Sequence, residues 1–303
     1  MIFPEVITVE TVSECTLHCP YCAVHDVKAY RSRNYIEIDM FKNIMLQCRN
    51  YNPVIWLDFM GEPTLHPNFV DILDIINAEN LKFSIETNAT LWSDSLITKL
   101  ANCNLERIIV TIEANAELFA KYRTSKAFDQ VIAALKMFVE RRKKSTPALE
   151  LQVIVHPENL NFLNEIKKIQ HDIKADKCFY KPIMVHQYSN NSDYRNKVFT
   201  TLWSEKMPSR YIKGMDGKIR LPDSAIKTPC PKLNEAVILS DGKMIMCCYD
   251  KGGKYVLGNL YDNSLIDLWE KSKTFREEVM KNRTTEFCHY CITDKIEDIF
   301  YAI

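Results

Sequence analysis

Six short runs rich in valine, isoleucine and aromatic residues recur along the first part of the chain, at 5–12, 54–60, 81–87, 106–113, 148–156 and 177–185. That composition predicts β-strands. The stretches between them, at about 38–49, 68–79, 94–101, 127–142 and 160–173, space their apolar residues as helices do. Ser93 is placed to cap the third of these, and Asn80 to stop the second. Strands that alternate with helices join as parallel neighbours through right-handed crossovers, so the fold class is α/β with a helix-covered parallel sheet. Periodicity does not say whether that sheet stays open or curls towards a barrel.

The rhythm stops after residue 186. Residues 187–229 are polar and irregular, which suggests a connector or a substrate-covering segment. A smaller module is expected over 230–303, with a hairpin turning at Asp241–Gly242 and a short helix at about 264–281. The three divisions are thus 1–186, 187–229 and 230–303.

Formal charge is zero, so no basic excess invites nucleic acid or an anionic membrane. The first ten residues carry Glu5 and Glu10 and lack the basic start and apolar run of a secretory signal. No later stretch has the length and apolarity of a membrane span. A cytoplasmic setting is therefore expected. Eleven cysteines are many for such a chain, and in a reducing compartment clustered cysteines point to metal rather than to disulfides. Cys48, Cys103 and Cys178 sit in apolar surroundings that suit ordinary buried thiols. Seven others fall into patterned groups.

The first group, Cys15-Thr-Leu-His-Cys19-Pro-Tyr-Cys22, follows the first strand directly, at the carboxyl end where parallel α/β folds place ligands. Three thiolates on one loop can bind three irons of a four-iron cluster and leave one iron open. The competing reading is a structural zinc site with His18 as fourth ligand, since zinc normally takes four nitrogen or sulfur donors. The second group joins Cys230 and Cys247 to Cys288-His-Tyr-Cys291. Four thiolates so spaced can enclose a second cluster or a zinc ion, and spacing alone does not choose. Cys248 is the spare, or a ligand in place of Cys247.

Cys-x3-Cys-x2-Cys after the first strand resembles the signature of the radical SAM superfamily, and residues 5–186 resemble its partial (βα)6 barrel. Met60-Gly61-Glu62-Pro63 at the end of the second strand is similar to that family's Gly-Gly-Glu-Pro motif, with Met60 in place of the first glycine. The resemblance implies that Gly61, Glu62 and Pro63 serve the amino end of S-adenosylmethionine and that Tyr21 lies near its adenine. Glu86, Thr87 and Asn88, with Thr111 and Glu113, would face its ribose or methionyl part, and Arg123 would pair with its carboxylate. Cys230…Gly242…Cys247, Gly258-Asn259-Leu260, Trp269 and Cys288-x2-Cys291 are similar to the SPASM/Twitch extension, in the shorter Twitch form with one auxiliary cluster. The cofactors implied are two 4Fe–4S clusters, one of which binds S-adenosylmethionine, with flavodoxin or ferredoxin as external electron donor.

In such enzymes the cofactor is cleaved reductively to an adenosyl radical that takes hydrogen from an unactivated carbon. Resemblance to Twitch enzymes of the 2-deoxy-scyllo-inosamine dehydrogenase type implies a net two-electron oxidation of a small sugar, aminocyclitol or nucleoside-like substrate. Candidate bases at the ends of the fifth and sixth strands are His156, Tyr180, Lys181 and His186. The alternative is radical modification of a ribosomally made peptide, by crosslink, thioether or epimerisation. The first strand begins almost at Met1, with no peptide-recognition domain before it, which favours the small substrate. A non-catalytic zinc protein using both cysteine sets structurally is the third reading.

Overall fold

The computed structural model describes residues 3–24, 31–143, 146–183, 202, 212–213, 215, 219–220, 230 and 232–282. Six parallel strands stand in sequential order: β1 (Val6–Val9), β2 (Val54–Leu57), β3 (Phe83–Thr87), β4 (Leu105–Ile112), β5 (Ala148–Val155) and β6 (Lys177–Pro182). Ile7, Ile55, Leu57, Phe83, Ile108 and Leu151 are fully buried, as near-continuous apolar runs require when both faces of a parallel sheet are covered.

Helices α1 (Ile38–Cys48), α2 (Phe69–Ala78), α3 (Asp94–Ala101), α4 (Ala116–Arg123), α5 (Phe128–Arg141) and α6 (Leu163–Ile173) make the crossovers. Ser93 Oγ accepts from Leu96 N at 3.2 Å, the expected N-cap. Asn80 takes φ 54° just past α2, the left-handed conformation that asparagine tolerates at a helix end. Helix α4 falls outside the sequence-based reading. Its signal was local: Asn115 Oδ1 accepts from Leu118 N at 2.9 Å and starts the helix.

The C-terminal strands join the same sheet. β9 (Glu235–Ile238) lies parallel to β1, with Val6 opposite Glu235 and Val9 opposite Ile238. The Asp241–Gly242 turn then returns the chain as β10 (Lys243–Ile245), and β11 (Val256–Asn259) completes a nine-stranded sheet. Two-residue strands β7 (Ile212–Lys213) and β8 (Ile219–Arg220) pair separately. The helix expected at 264–281 is two, α7 (Leu265–Lys271) and α8 (Lys273–Asn282). The break lies at Ser272, whose Oγ donates to Trp269 O at 2.6 Å while Arg276 Nη1 donates to the same carbonyl at 3.0 Å. Such side-chain bonds compete with the helical ladder. Among the described residues, no helix is long and apolar enough to cross a membrane.

One buried ion pair fastens this extension to the first strand. Glu10, fully buried just past β1, accepts from Ser240 N at 3.0 Å and Ser240 Oγ at 2.8 Å, and pairs with Arg31. Arg31 Nη1 also donates to Lys251 O at 3.0 Å. Removing one member of a buried pair strands the other charge, at a cost of about 3–5 kcal/mol. Glu10→Ala is expected to lower unfolding stability by that order, read as a fall in the midpoint of chemical denaturation. An unchanged midpoint would contradict the fastening role.

Candidate active site

The cysteine loop leaves β1 and is fixed from two sides. Gly61, at φ 82°, brings the end of β2 against it: a Cβ built there would lie 2.2 Å from Val12 O and 2.6 Å from Glu14 O. Glu62 N then donates to Glu14 O at 2.8 Å. On the other side His18 N donates to Thr124 Oγ1 at 2.8 Å, which anchors the loop to the end of α4. Gly61 is therefore required by the contact between two backbones, whatever else binds nearby.

Cys15, Cys19 and Cys22 are free thiols that line one cavity of about 240 Å³. Burial pushes the Cys15 thiol up to about 11 and the Cys22 thiol up to about 12, so taking up metal must expel protons from them. His18 is exposed and does not line the cavity. Among the described residues, no three His, Cys, Asp or Glu side chains gather closely enough to surround a single ion.

Of the residues that resemblance assigns to the cofactor, Tyr21, Gly61, Glu62, Glu86, Thr87, Asn88, Thr111 and Arg123 line this cavity, while Pro63 and Glu113 do not. Pro63 starts a short 3-10 turn instead, whose first free amide, Thr64 N, donates to Glu62 Oε1 at 3.2 Å. Glu62 is largely engaged by the protein: Thr64 Oγ1 and Thr87 Oγ1 donate to Oε1 at 2.6 and 2.5 Å, and Asn88 N donates to Oε2 at 2.8 Å. It binds the end of β2 to the end of β3. Burial raises its carboxyl pKa against the pull of these bonds. Asn88 Nδ2 reaches Cys15 Sγ at 3.6 Å.

Glu113 is fully buried behind the wall. It meets Arg123 Nε at 3.2 Å, Tyr21 Oη at 3.5 Å, His156 Nε2 at 3.3 Å and Asn159 Nδ2 at 3.5 Å. Its role in this arrangement is to hold Arg123 and Tyr21. Burial alone would lower the Arg123 pKa, but Tyr21, Glu113 and Cys19 outweigh it and keep the guanidinium charged. Arg123 Nη1 lies 3.9 Å from Cys19 Sγ, and its Nη2 is buried with no hydrogen-bond partner in the structure. An orphaned guanidinium nitrogen beside three thiols fits an anionic cluster or a cofactor carboxylate. His156, fully buried against Glu113 with its ring 3.7 Å from that of Tyr122, does not reach the cavity, and neither does Tyr180. Of the four base candidates Lys181 lines it, and His186 lies outside the described residues.

The cavity also holds groups that no motif signalled. Asp58, Gln152 and Lys251 line it with Glu86 and Lys181. Gln152 Nε2 donates to Glu86 Oε1 at 2.6 Å and to Thr111 Oγ1 at 2.9 Å. Burial raises the Glu86 pKa, with nearby Lys181 opposing and Asp58 adding to the rise. Only the alternation of β3 and β5, which turns Glu86 and Gln152 to the same side, could have hinted at this pairing.

Cys230, Cys247 and Cys248 are half-buried free thiols, while Cys288 and Cys291 lie outside the described residues. Tyr249 N donates to Cys247 Sγ at 3.4 Å. Cys15, Cys22 and Cys248 pack against a common apolar cluster that contains Phe59, Met60, Val237 and Leu239. Met60, where the family motif has glycine, is part of this apolar partition and is 8% exposed.

The family model of the radical SAM superfamily matches residues 9–168, and that of SPASM, an iron–sulfur cluster-binding domain, matches residues 230–292. The tungsten-containing aldehyde ferredoxin oxidoreductase cofactor-modifying protein of Pyrococcus furiosus is 22% identical over 308 residues, spanning 93% of this chain and 85% of that protein. SuiB of Streptococcus suis, solved with its precursor peptide SuiA, shares the fold with a TM-score of 0.66 at 16% identity, over 90% of this chain and 67% of that one. BtrN, solved with AdoMet and 2-DOIA, does so with a TM-score of 0.59 at 18% identity, over 96% of this chain and 94% of that one. The two matched domains together take S-adenosylmethionine and two iron–sulfur clusters as cofactors. With more than half of its 303 residues matched by the first family model, the chain is an enzyme that belongs to the radical SAM superfamily.

Proposed function

We propose that Cys15, Cys19 and Cys22 hold the cluster that binds S-adenosylmethionine, that Cys230, Cys247, Cys288 and Cys291 hold the auxiliary one, and that the enzyme dehydrogenates a small polar substrate of the sugar, aminocyclitol or nucleoside kind. The observation that carries this reading is one cavity lined both by the three thiols and by acid–base side chains. When bound, the cluster and cofactor supply an adenosyl radical that removes a hydrogen atom from carbon.

The protein's own groups do the rest. Arg123, held by Glu113, offers a fixed cationic fork to the cofactor carboxylate. Glu62 keeps the ends of β2 and β3 together, so that the cysteine loop and Asn88 stay in register. Oxidation also requires an electron, which the auxiliary cluster would accept when bound, and a proton to leave the substrate. An ammonium cannot accept it, so Lys181 gives way to Glu86 as the proton acceptor. Gln152 occupies Glu86 Oε1, and burial raises the carboxyl pKa towards the range where a base works best. The apolar partition of Phe59 and Met60 keeps water from the space between the two cysteine groups. Peptide modification is the second reading, favoured by the likeness to SuiB bound to SuiA.

Anaerobic reduction with S-adenosylmethionine and candidate substrates tests the reading. 5′-Deoxyadenosine is expected from the unsubstituted enzyme and absent from Cys19→Ala, together with a product two hydrogens lighter; equal amounts from both proteins would overturn it, and a crosslinked peptide would favour the second reading. Glu86→Gln is expected to cut formation of the oxidised product by about 10²–10⁴-fold while 5′-deoxyadenosine still forms. Because its pKa is raised, product formation should climb with pH as Glu86 loses its proton, and Glu86→Gln should flatten that rise. Gly61→Ala forces a Cβ into the Val12 and Glu14 carbonyls. Its reconstituted protein should bind less iron per chain and lose the change in electron paramagnetic signal that S-adenosylmethionine causes, whereas full iron and an unaltered response would refute the close-contact requirement.

A further inference from the structure

Charged side chains from four elements that meet only in the folded chain line the same cavity as the cysteines. Asp58 follows β2, Glu86 is on β3, Lys181 is on β6, and Lys251 comes from the turn after Cys247 and Cys248. Lys251 is held there by the backbone it crosses: its Nζ donates to Phe59 O at 3.3 Å and lies 3.6 Å from the centre of the Phe59 ring. Phe59 adopts φ 124°, a conformation that a side chain of its size resists. Strain of this kind persists where the surrounding structure imposes it, and it gathers at functional sites.

Among the described residues, neither the Asp58 nor the Lys181 side chain makes a hydrogen bond, although both residues are half-buried on the cavity wall. Opposite charges stand near them, Lys251 by Asp58 and Glu86 by Lys181, but a half-buried charge without a hydrogen bond is unfavourable until something supplies one. Burial lowers the Lys251 pKa and raises that of Glu86, so the empty wall disfavours its own charges of both signs. Two cationic and two anionic groups cancel overall. A polyanion or a polycation would leave one sign unmatched, whereas a dipolar ligand can match both.

We propose that Asp58, Lys181 and Lys251 form a substrate subsite for a small zwitterion, with a substrate ammonium at Asp58 and a substrate carboxylate between the two lysines. The inference rests on the radical-enzyme reading above and narrows its substrate to an aminated sugar acid. Glu86 remains beside it as the proton acceptor.

The test uses the full chain with its clusters reconstituted and S-adenosylmethionine at saturation, titrated with 4-aminobutyrate, butylamine and butyrate as probes by ligand-observed nuclear magnetic resonance. 4-Aminobutyrate should bind at least about tenfold tighter than either single-charge probe, the factor that roughly 1.4 kcal/mol gives. Asp58→Asn should erase its advantage over butyrate, and Lys181→Met its advantage over butylamine. Equal binding of the three probes would overturn the proposal, as would variants that bind 4-aminobutyrate like the unsubstituted enzyme. Binding of 4-aminobutyrate only when S-adenosylmethionine is left out would also overturn it, because the charges would then belong to the cofactor. 5′-Deoxyadenosine formation is measured on the same samples. Its absence alongside the expected probe pattern would sink the radical reading and leave the subsite standing, and the converse result would do the reverse.

Discussion

Everything at the cysteine end of the cavity depends on two backbones touching at Gly61. The positive φ and the missing Cβ let the end of β2 press onto Val12 and Glu14. That contact sets where Cys15 begins its loop, and it delivers Glu62 to the position from which it bonds Thr87 and Asn88. From Asn88 the link runs back to Cys15 Sγ, which closes a ring of contacts around the first thiol. A larger residue would push two parallel strands apart at the very end that carries the chemistry.

The buried charges divide into two kinds. Glu113 and His156 are enclosed behind the wall and hold Arg123, whose guanidinium is the one member of the three that lines the cavity. Asp58, Glu86, Lys181 and Lys251 face the cavity and are only partly matched. Low dielectric makes both kinds costly, and the groups that line the cavity can recover that cost from a ligand. The apolar cluster of Phe59, Met60, Val237 and Leu239 lies beside these charges and packs against Cys15, Cys22 and Cys248.

Much of this was legible in the amino-acid order. The six parallel strands are readable because a doubly covered strand has to be apolar almost throughout. The cysteine spacing places Cys15, Cys19 and Cys22 on one short loop, where the structure has them. Glu113 shows where such reading stops: strand periodicity puts it near the active end but does not say that Arg123 and His156 enclose it. Asp58 and Lys251 lie beyond motif reading for a different reason. They are 193 positions apart, and only the pairing of β9 with β1 brings the second near the first. The split of the last helical segment at Ser272 depends on one hydroxyl and one guanidinium that share a carbonyl, which apolar spacing does not register.

That β9–β1 pairing bears on how the molecule is made. The Thr8 Oγ1 to Glu235 Oε1 bond, 2.6 Å long, joins residues 227 positions apart. During synthesis on the ribosome, the outer edge of β1 stays unpaired until β9 has emerged. An edge with free amides and carbonyls invites pairing with other chains, and contacts of such sequence separation form slowly. The nascent protein therefore passes through a stage in which its barrel is nearly complete yet adhesive.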